Sequence, residues 1–283
     1  MHMAKVLSIS SQVVYGHVGN STAAFVLQRM GHEVLSLPTI LLSNRPGYGA
    51  IAGSPVDPGK LDAMLGAAWS NGWLSGVDAI LTGYIPTPEH AALCGMWIKA
   101  LNPNAIYLCD PIIGDEPAGI YISQGAAHAI REMLVPLADI LTPNRFELGW
   151  LSGQAIPSAA AAVNAARSLW RPAVVVTSAP AAAPDALANM LVEPAGAAAA
   201  TVPRETVHAH GTGDFFAAIF LGHRLKGMRN RVALQAAAAA MSLVLKASKG
   251  RSELALIETQ AAWAKEPPLL AALAPLPGFE AVP

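Results

Sequence analysis

Short apolar runs alternate with amphipathic segments along most of this chain, and that alternation restricts the fold more than any other feature. Residues 6–10, Val-Leu-Ser-Ile-Ser, read as a strand. Beyond a loop at 11–21, Ala23, Ala24, Val26, Leu27 and Met30 recur at helical spacing until Gly31 offers a left-handed stop. A second strand follows at 32–37, and two strands joined by a crossover helix are parallel. The rhythm continues with a helix at 61–69, a strand at 77–81, a helix at 89–101 and a strand at 105–109. A helix at 126–134 and strands at 139–141 and 173–177 extend it. The pattern predicts an α/β fold, a three-layer sandwich whose mostly parallel central sheet carries helices on both faces. The 283 residues suit one large domain spanning 1–283.

Three segments break the rhythm. Between the second strand and the next helix, Ser43-Asn44-Arg45-Pro46-Gly47-Tyr48-Gly49 is rich in turn residues and predicts a flap at about 40–58. The alanine- and proline-rich stretch 179–204 holds two apolar runs, 188–192 and 198–202, that read as an antiparallel hairpin on the sheet edge. After residue 211 the text is helical, notably over 231–249, and the proline-rich tail 267–283 carries Leu269, Leu270 and Leu273 for surface packing.

Ligands of an open parallel sheet bind beyond the carboxyl ends of its strands. Those ends deliver Ser10 and Ser11, then Thr82-Gly83-Tyr84, Asp110-Pro111, Thr142-Pro143-Asn144 with Glu147 just beyond, and Thr177-Ser178. Asp110, Asn144 and Glu147 are hard oxygen donors, and two carboxylates beside phosphates fit a Mg²⁺ site. Asp110-Pro111 equally fits a turn start, and Asn144 with Glu147 a capping box.

The stretch His210-Gly211-Thr212-Gly213-Asp214-Phe215-Phe216 reads as a loop running into a buried helix. The first N–H groups of a helix lack internal partners and its dipole is positive there, so main chain alone can hold an anion. An aspartate at that place repels a phosphate unless it takes a proton from the group attacking it. The alternative is that Thr212 or Asp214 is an ordinary N-cap. The stretch is not a Walker A loop, since no Gly-Lys-Ser/Thr follows.

With 18 basic and 19 acidic residues the chain shows no basic block for a nucleic-acid backbone, so small molecules are the expected partners. No apolar run approaches the roughly 20 residues that span a bilayer. Cys94 and Cys109 have no metal-ligand or redox spacing. These features, with an N-terminus lacking a secretion signal, predict a cytoplasmic protein.

The Gly211-to-Asp214 element, Asp110-Pro111, Gly114-Asp115 and Thr142-Pro143-Asn144-Arg145-Phe146-Glu147 together resemble the ribokinase superfamily. Within it, Ser11-Gln12-Val13-Val14-Tyr15-Gly16-His17-Val18-Gly19-Asn20, Ser43-Asn44 before Gly47-Tyr48, and Thr82-Gly83-Tyr84 are similar to the pyridoxal kinases. The likeness runs from about Val6 to Lys246, and the early stretch is its most selective part. It implies ATP-dependent phosphorylation of the 5′-hydroxymethyl group of pyridoxal, with Asp214 as general base and the N–H groups of Gly211, Thr212 and Gly213 on the transferring phosphate. It also implies Mg²⁺ organised by Asp110 and Glu147, with K⁺ as a candidate monovalent cation. Asp115, Tyr121, Asn144, Thr177 and Ser178 would lie at the nucleotide. Ser11, Val18 and Tyr84 would contact the pyridine ring, Arg45 is a further candidate there, and the family implies a homodimer.

The chain departs from that family at Arg45-Pro46, where many members carry His-Thr, and proline retains neither the N–H nor a hydroxyl. Gln12 replaces a common histidine and Leu42 a common aromatic. These changes bear on which B6 vitamer is preferred, not on phosphoryl transfer. Two other readings stand beside this one: a hydroxymethylpyrimidine kinase of thiamin synthesis, and a B6-binding protein without catalysis.

Overall fold

The computed structural model describes residues 3–181, 183, 185–205, 207, 209–264 and 274–276. The chain opens with β1 (Lys5–Tyr15), α1 (Asn20–Arg29), β2 (Glu33–Asn44), β3 (Gly53–Pro55), α2 (Pro58–Ser70), β4 (Ala79–Thr82), α3 (Pro88–Ala100) and β5 (Ile106–Cys109). A small hairpin, β6 (Gly114–Asp115) and β7 (Gly119–Ile120), precedes α4 (Gln124–Ala129), β8 (Ile140–Leu141), α5 (Arg145–Ser152) and α6 (Ala159–Ser168). Then come β9 (Ala173–Ala179), β10 (Ala186–Glu193), β11 (Gly196–Pro203), α7 (Thr212–Leu225), α8 (Asn230–Ala247), α9 (Leu256–Trp263) and β12 (Ala274–Pro275).

One large sheet takes the order β12-β11-β10-β9-β8-β5-β4-β1-β2-β3. Its central run from β9 to β2 is parallel throughout, and antiparallel strands close both edges. Alternate residues of each strand enter different cores. Leu7, Ile9, Tyr107, Val174 and Val176 pack with α2, α3, α4 and α6, whereas Val6, Leu108 and Val175 pack with α1, α7 and α8. The three-layer α/β sandwich expected from the alternation is therefore the fold. The edge hairpin is present as well, with Ala188 opposite Thr201 and Val192 opposite Ala197.

One expectation needs correction. The stretch after Ser10 is not a loop: β1 stays paired with β2 as far as Tyr15 opposite Asn44. A register shift between Ser10 and Gln12 leaves one extra residue on β2, and an irregularity of this kind re-aims side chains beside a site. The flap at 40–58 is accordingly a β structure, in which β2 reaches Asn44 and β3 returns antiparallel with Leu41 opposite Ser54. The leucines of the tail, Leu269, Leu270 and Leu273, lie outside the described residues.

The helix that carries the glycine motif is seated firmly. Phe215 and Phe25 both meet Trp263 edge-on, at 5.5 and 5.9 Å between ring centroids. Such pairs add about 0.5–1.5 kcal/mol each to their burial. Gly222 lets α7 lie against α1, since a Cβ there would fall 2.5 Å from Met30 Sδ. The start of α7 is thus fixed relative to the strand ends.

Candidate active site

Gly211 sets the geometry of the α7 start. Its φ of 87° is left-handed, and a Cβ on it would lie 1.7 Å from the His17 carbonyl oxygen, so only glycine lets the β1–α1 loop close onto the helix. Among the described residues no side chain caps α7. Thr212 and Asp214, the alternative N-caps, instead occupy its first and third positions, and the leading N–H groups stay open.

A cavity of about 700 Å³ lies over this helix end. Gly211, Thr212, Gly213 and Asp214 line it, and so do Asp110 and Glu147. Asp115, Tyr121, Asn144, Thr177 and Ser178 complete the set expected from the sequence at the nucleotide. Ser178 and Ile112, both in its walls, have positive φ values of 53° and 41°. A β-branched residue in that region is strained, and strain of this kind concentrates at functional sites.

The carboxylates are held individually. Asp214 accepts a hydrogen bond from the Gly19 N–H, yet burial outweighs it and pushes its pKa up to about 6. Gly19 is itself confined, because a Cβ would fall 2.2 Å from Ser11 Oγ. Asp110 accepts from Thr142 Oγ1 at 3.0 Å. Burial, then the neighbouring Glu147 and Asp214, raise its pKa well above the usual carboxylate range. Glu147 closes a capping box with Asn144, whose N–H reaches Oε2 at 2.9 Å, and Ile113 N–H donates to Oε1 at 2.8 Å. Its pKa is nonetheless pushed up to about 7 by burial. The capping box and a place on the cavity wall are therefore both true of Glu147. Among the described residues no group of three or more His, Cys, Asp or Glu could hold a metal ion. A cation here would draw on Asp110 and Glu147 together with ligand and water oxygens, the usual situation for Mg²⁺. The donor set fits it: Glu147 and Asp214 add to the burial that raises the proton affinity of Asp110, and a divalent cation would offset that repulsion.

The residues expected at the pyridine ring are not among the walls of this cavity. Ser11 is buried beneath Gly19. Val18 is half-buried, its Cα 3.5 Å from the Cβ position of Gly211. Tyr84 is half-buried, its N–H donating to Ser10 Oγ at 3.0 Å and its carbonyl accepting from Thr39 Oγ1 at 2.7 Å. Arg45, the further candidate at the ring, is engaged in an ion pair. It is buried, with Nε donating to Glu253 Oε1 at 2.6 Å and Nη2 to the Ser252 carbonyl at 2.6 Å. A small chamber lined by Ser10, Gly83, Asp110 and Asp214 brings the two acids together with residues of β1 and the β4 end.

Sequence reasoning passed over Arg204, His210, Leu187, Val207 and Ala209, which also line the cavity. His210 directly precedes the anion element in sequence, and that adjacency was the available signal. The apolar three sit in or near alanine-rich text that conceals them.

A family model described as phosphomethylpyrimidine kinase matches residues 28–254. The pyridoxal kinase of Leifsonia xyli subsp. xyli is 36% identical over 266 residues, covering 90% of this chain and 94% of that protein. The pyridoxal kinase of Leishmania donovani in complex with ADP and pyridoxamine superposes with a TM-score of 0.89 at 29% identity, covering 96% of this chain and 99% of that one. The pyridoxal kinase of Entamoeba histolytica shares the fold, with a TM-score of 0.91 at 24% identity over 97% of this chain and all of its own. With its ribokinase-like sheet and its glycine-bounded acid beside the helix start, the chain belongs to the phosphomethylpyrimidine kinase family and, within it, to the pyridoxal kinases.

Proposed function

We propose that this chain transfers the γ-phosphoryl group of ATP to the 5′-hydroxymethyl group of pyridoxal, giving pyridoxal 5′-phosphate. The observation that carries the proposal is Asp214 in the third position of an uncapped helix that opens on the cavity. Its raised pKa of about 6 suits a general base near neutral pH, where it is ionised yet basic enough to accept a hydroxyl proton. The N–H groups of Gly211, Thr212 and Gly213 stabilise charge on the phosphate in flight, so catalysis rests on positioning and electrostatics.

On the nucleotide side, Thr177, Ser178 and Asn144 offer hydrogen bonds to phosphate, and Asp115 stands among them. Leu187, Val207 and Ala209 give an apolar wall for the base, with Tyr121 opposite on the rim. Asp110 and Glu147 hold Mg²⁺, which when bound supplies charge neutralisation of the phosphates. On the acceptor side, Ser11, Val18 and Tyr84 receive the ring. The chain acts as one catalytic domain and as a homodimer; exposed Val14, Leu41 and Ile51 near the β2–β3 end supply apolar surface for the second copy.

A hydroxymethylpyrimidine is the competing acceptor, favoured by the description of the matching family model. A coupled ADP-release assay with Mg-ATP, with and without K⁺, against pyridoxal, pyridoxine, pyridoxamine and hydroxymethylpyrimidine separates the two. Turnover of pyridoxal is expected; turnover of the pyrimidine alone rejects the proposal.

A further inference from the structure

Glu253 lies in the segment joining α8 to α9, remote in sequence from the site, yet three residues from two other segments converge on its carboxylate. The His17 N–H donates to Oε2 at 2.8 Å, and Oε1 accepts from Arg45 Nε at 2.6 Å and from the Tyr48 hydroxyl. Arg45 also donates to the carbonyls of Ser252 and Pro46, and its guanidinium stacks 4.3 Å from the centre of the Tyr48 ring. Only 5% of the Arg45 side chain and 14% of that of Glu253 are exposed, so this ion pair is far better shielded than a surface one.

The pair is continuous with the catalytic groups. A Cβ on Gly16 would lie 3.1 Å from Arg45 Cγ and 3.5 Å from Glu253 Oε2, so the β1–α1 loop rests directly on the two charges. One residue further on, His17 points its N–H at Glu253 while its carbonyl abuts Gly211. Two residues beyond that, the Gly19 N–H holds Asp214. The flap enters from the other side, where a Cβ on Gly47 would lie 3.0 Å from Arg45 Nη1 and 3.5 Å from His210 Nε2.

We propose that Arg45 and Glu253 form a latch that couples the seating of the flap to the placement of the catalytic base, both acting as positioning residues for the acceptor half of the reaction. The inference rests on the proposed pyridoxal phosphorylation. Wild-type turnover of pyridoxal is therefore measured first, and its absence counts against that reading and not against the latch.

The test is a double-mutant cycle with Arg45→Met, Glu253→Gln and the pair, recording kcat and both KM values. Each single change strands a buried charge and is expected to raise KM for pyridoxal about tenfold and lower kcat about fivefold, with KM for Mg-ATP within twofold. The double variant is expected to be no worse than the poorer single. Tyr48→Phe removes one donor without stranding a charge; it is expected to fold normally and raise KM for pyridoxal about threefold, which keeps the test valid if a charge variant does not fold. Unchanged pyridoxal kinetics beside a lower melting temperature, or equal changes in both KM values, would overturn the proposal.

Discussion

Replacing Asp110 by Asn should make the ligand-free protein more stable while abolishing its use as a kinase. Asp110 and Glu147 are 6% and 3% exposed, and burial sets both pKa values high. Glu147 rises from 4.5 to about 7, and at about 1.4 kcal/mol per pH unit its ionisation costs the folded state roughly 3 kcal/mol. The sign follows from proton counting. Between pH 4.5 and 7 the unfolded chain has released this proton and the folded chain retains it, so stability falls as pH rises through that window and the cost is complete above it. Asn at 110 removes one of two neighbouring charges but keeps the oxygen that accepts from Thr142. The variant is expected to be more stable than wild type at pH 8 and to approach it at pH 4, because the buried Asp110 carboxyl resists ionisation. Urea unfolding at pH 4, 6 and 8 in the presence of a chelator measures the difference. Comparing variants matters because other groups, His223 among them, titrate in the same range and cancel only in the difference. An Asn variant equal to or weaker than wild type at pH 8 would refute the reasoning.

Other predictions follow from the same geometry. His223 is buried, and neither ring nitrogen meets a hydrogen-bond partner among the described residues. Burial, with Lys226 and His32 nearby, lowers its pKa to about 4. Folding therefore loses up to roughly 3 kcal/mol as pH falls from about 6.5 to about 4, and His223→Leu should flatten that part of the unfolding curve. Gly211→Ala forces a side chain into left-handed backbone and toward the His17 carbonyl; a stability loss of at least about 1 kcal/mol and a kcat drop of tenfold or more are expected by urea melts and turnover. Mg²⁺ at millimolar concentration should raise the melting temperature of wild type and not of Asp110→Asn, read by differential scanning fluorimetry.

What could be read from the residues alone followed periodicity. The fully buried runs, such as Val174-Val175-Val176, could only be interior strands, and the polar groups after β5, β8 and within β9 line one cavity. Boundaries failed where composition competed with pairing. Gln12 and Val13 read as loop, yet the parallel ladder with β2 carries them, because hydrogen bonds to a neighbouring strand are invisible in one strand's own text. The cavity-lining Asp110, Asn144 and Thr177 stood out because their oxygens have few structural uses at strand ends. Arg45 was not, since a loop arginine looks solvent-facing until Glu253, more than two hundred positions later, folds back to meet it. Alanine-rich text hid Leu187 and Ala209 for the opposite reason, a scarcity of contrast.

The most direct measurement of the central claim is the turnover of Asp214→Asn alongside its binding. The account predicts a kcat lower by at least about 10²-fold with pyridoxal and Mg-ATP dissociation constants within about threefold of wild type, whose own kcat/KM falls off below about pH 6. A variant that keeps turning over within tenfold of wild type would contradict it.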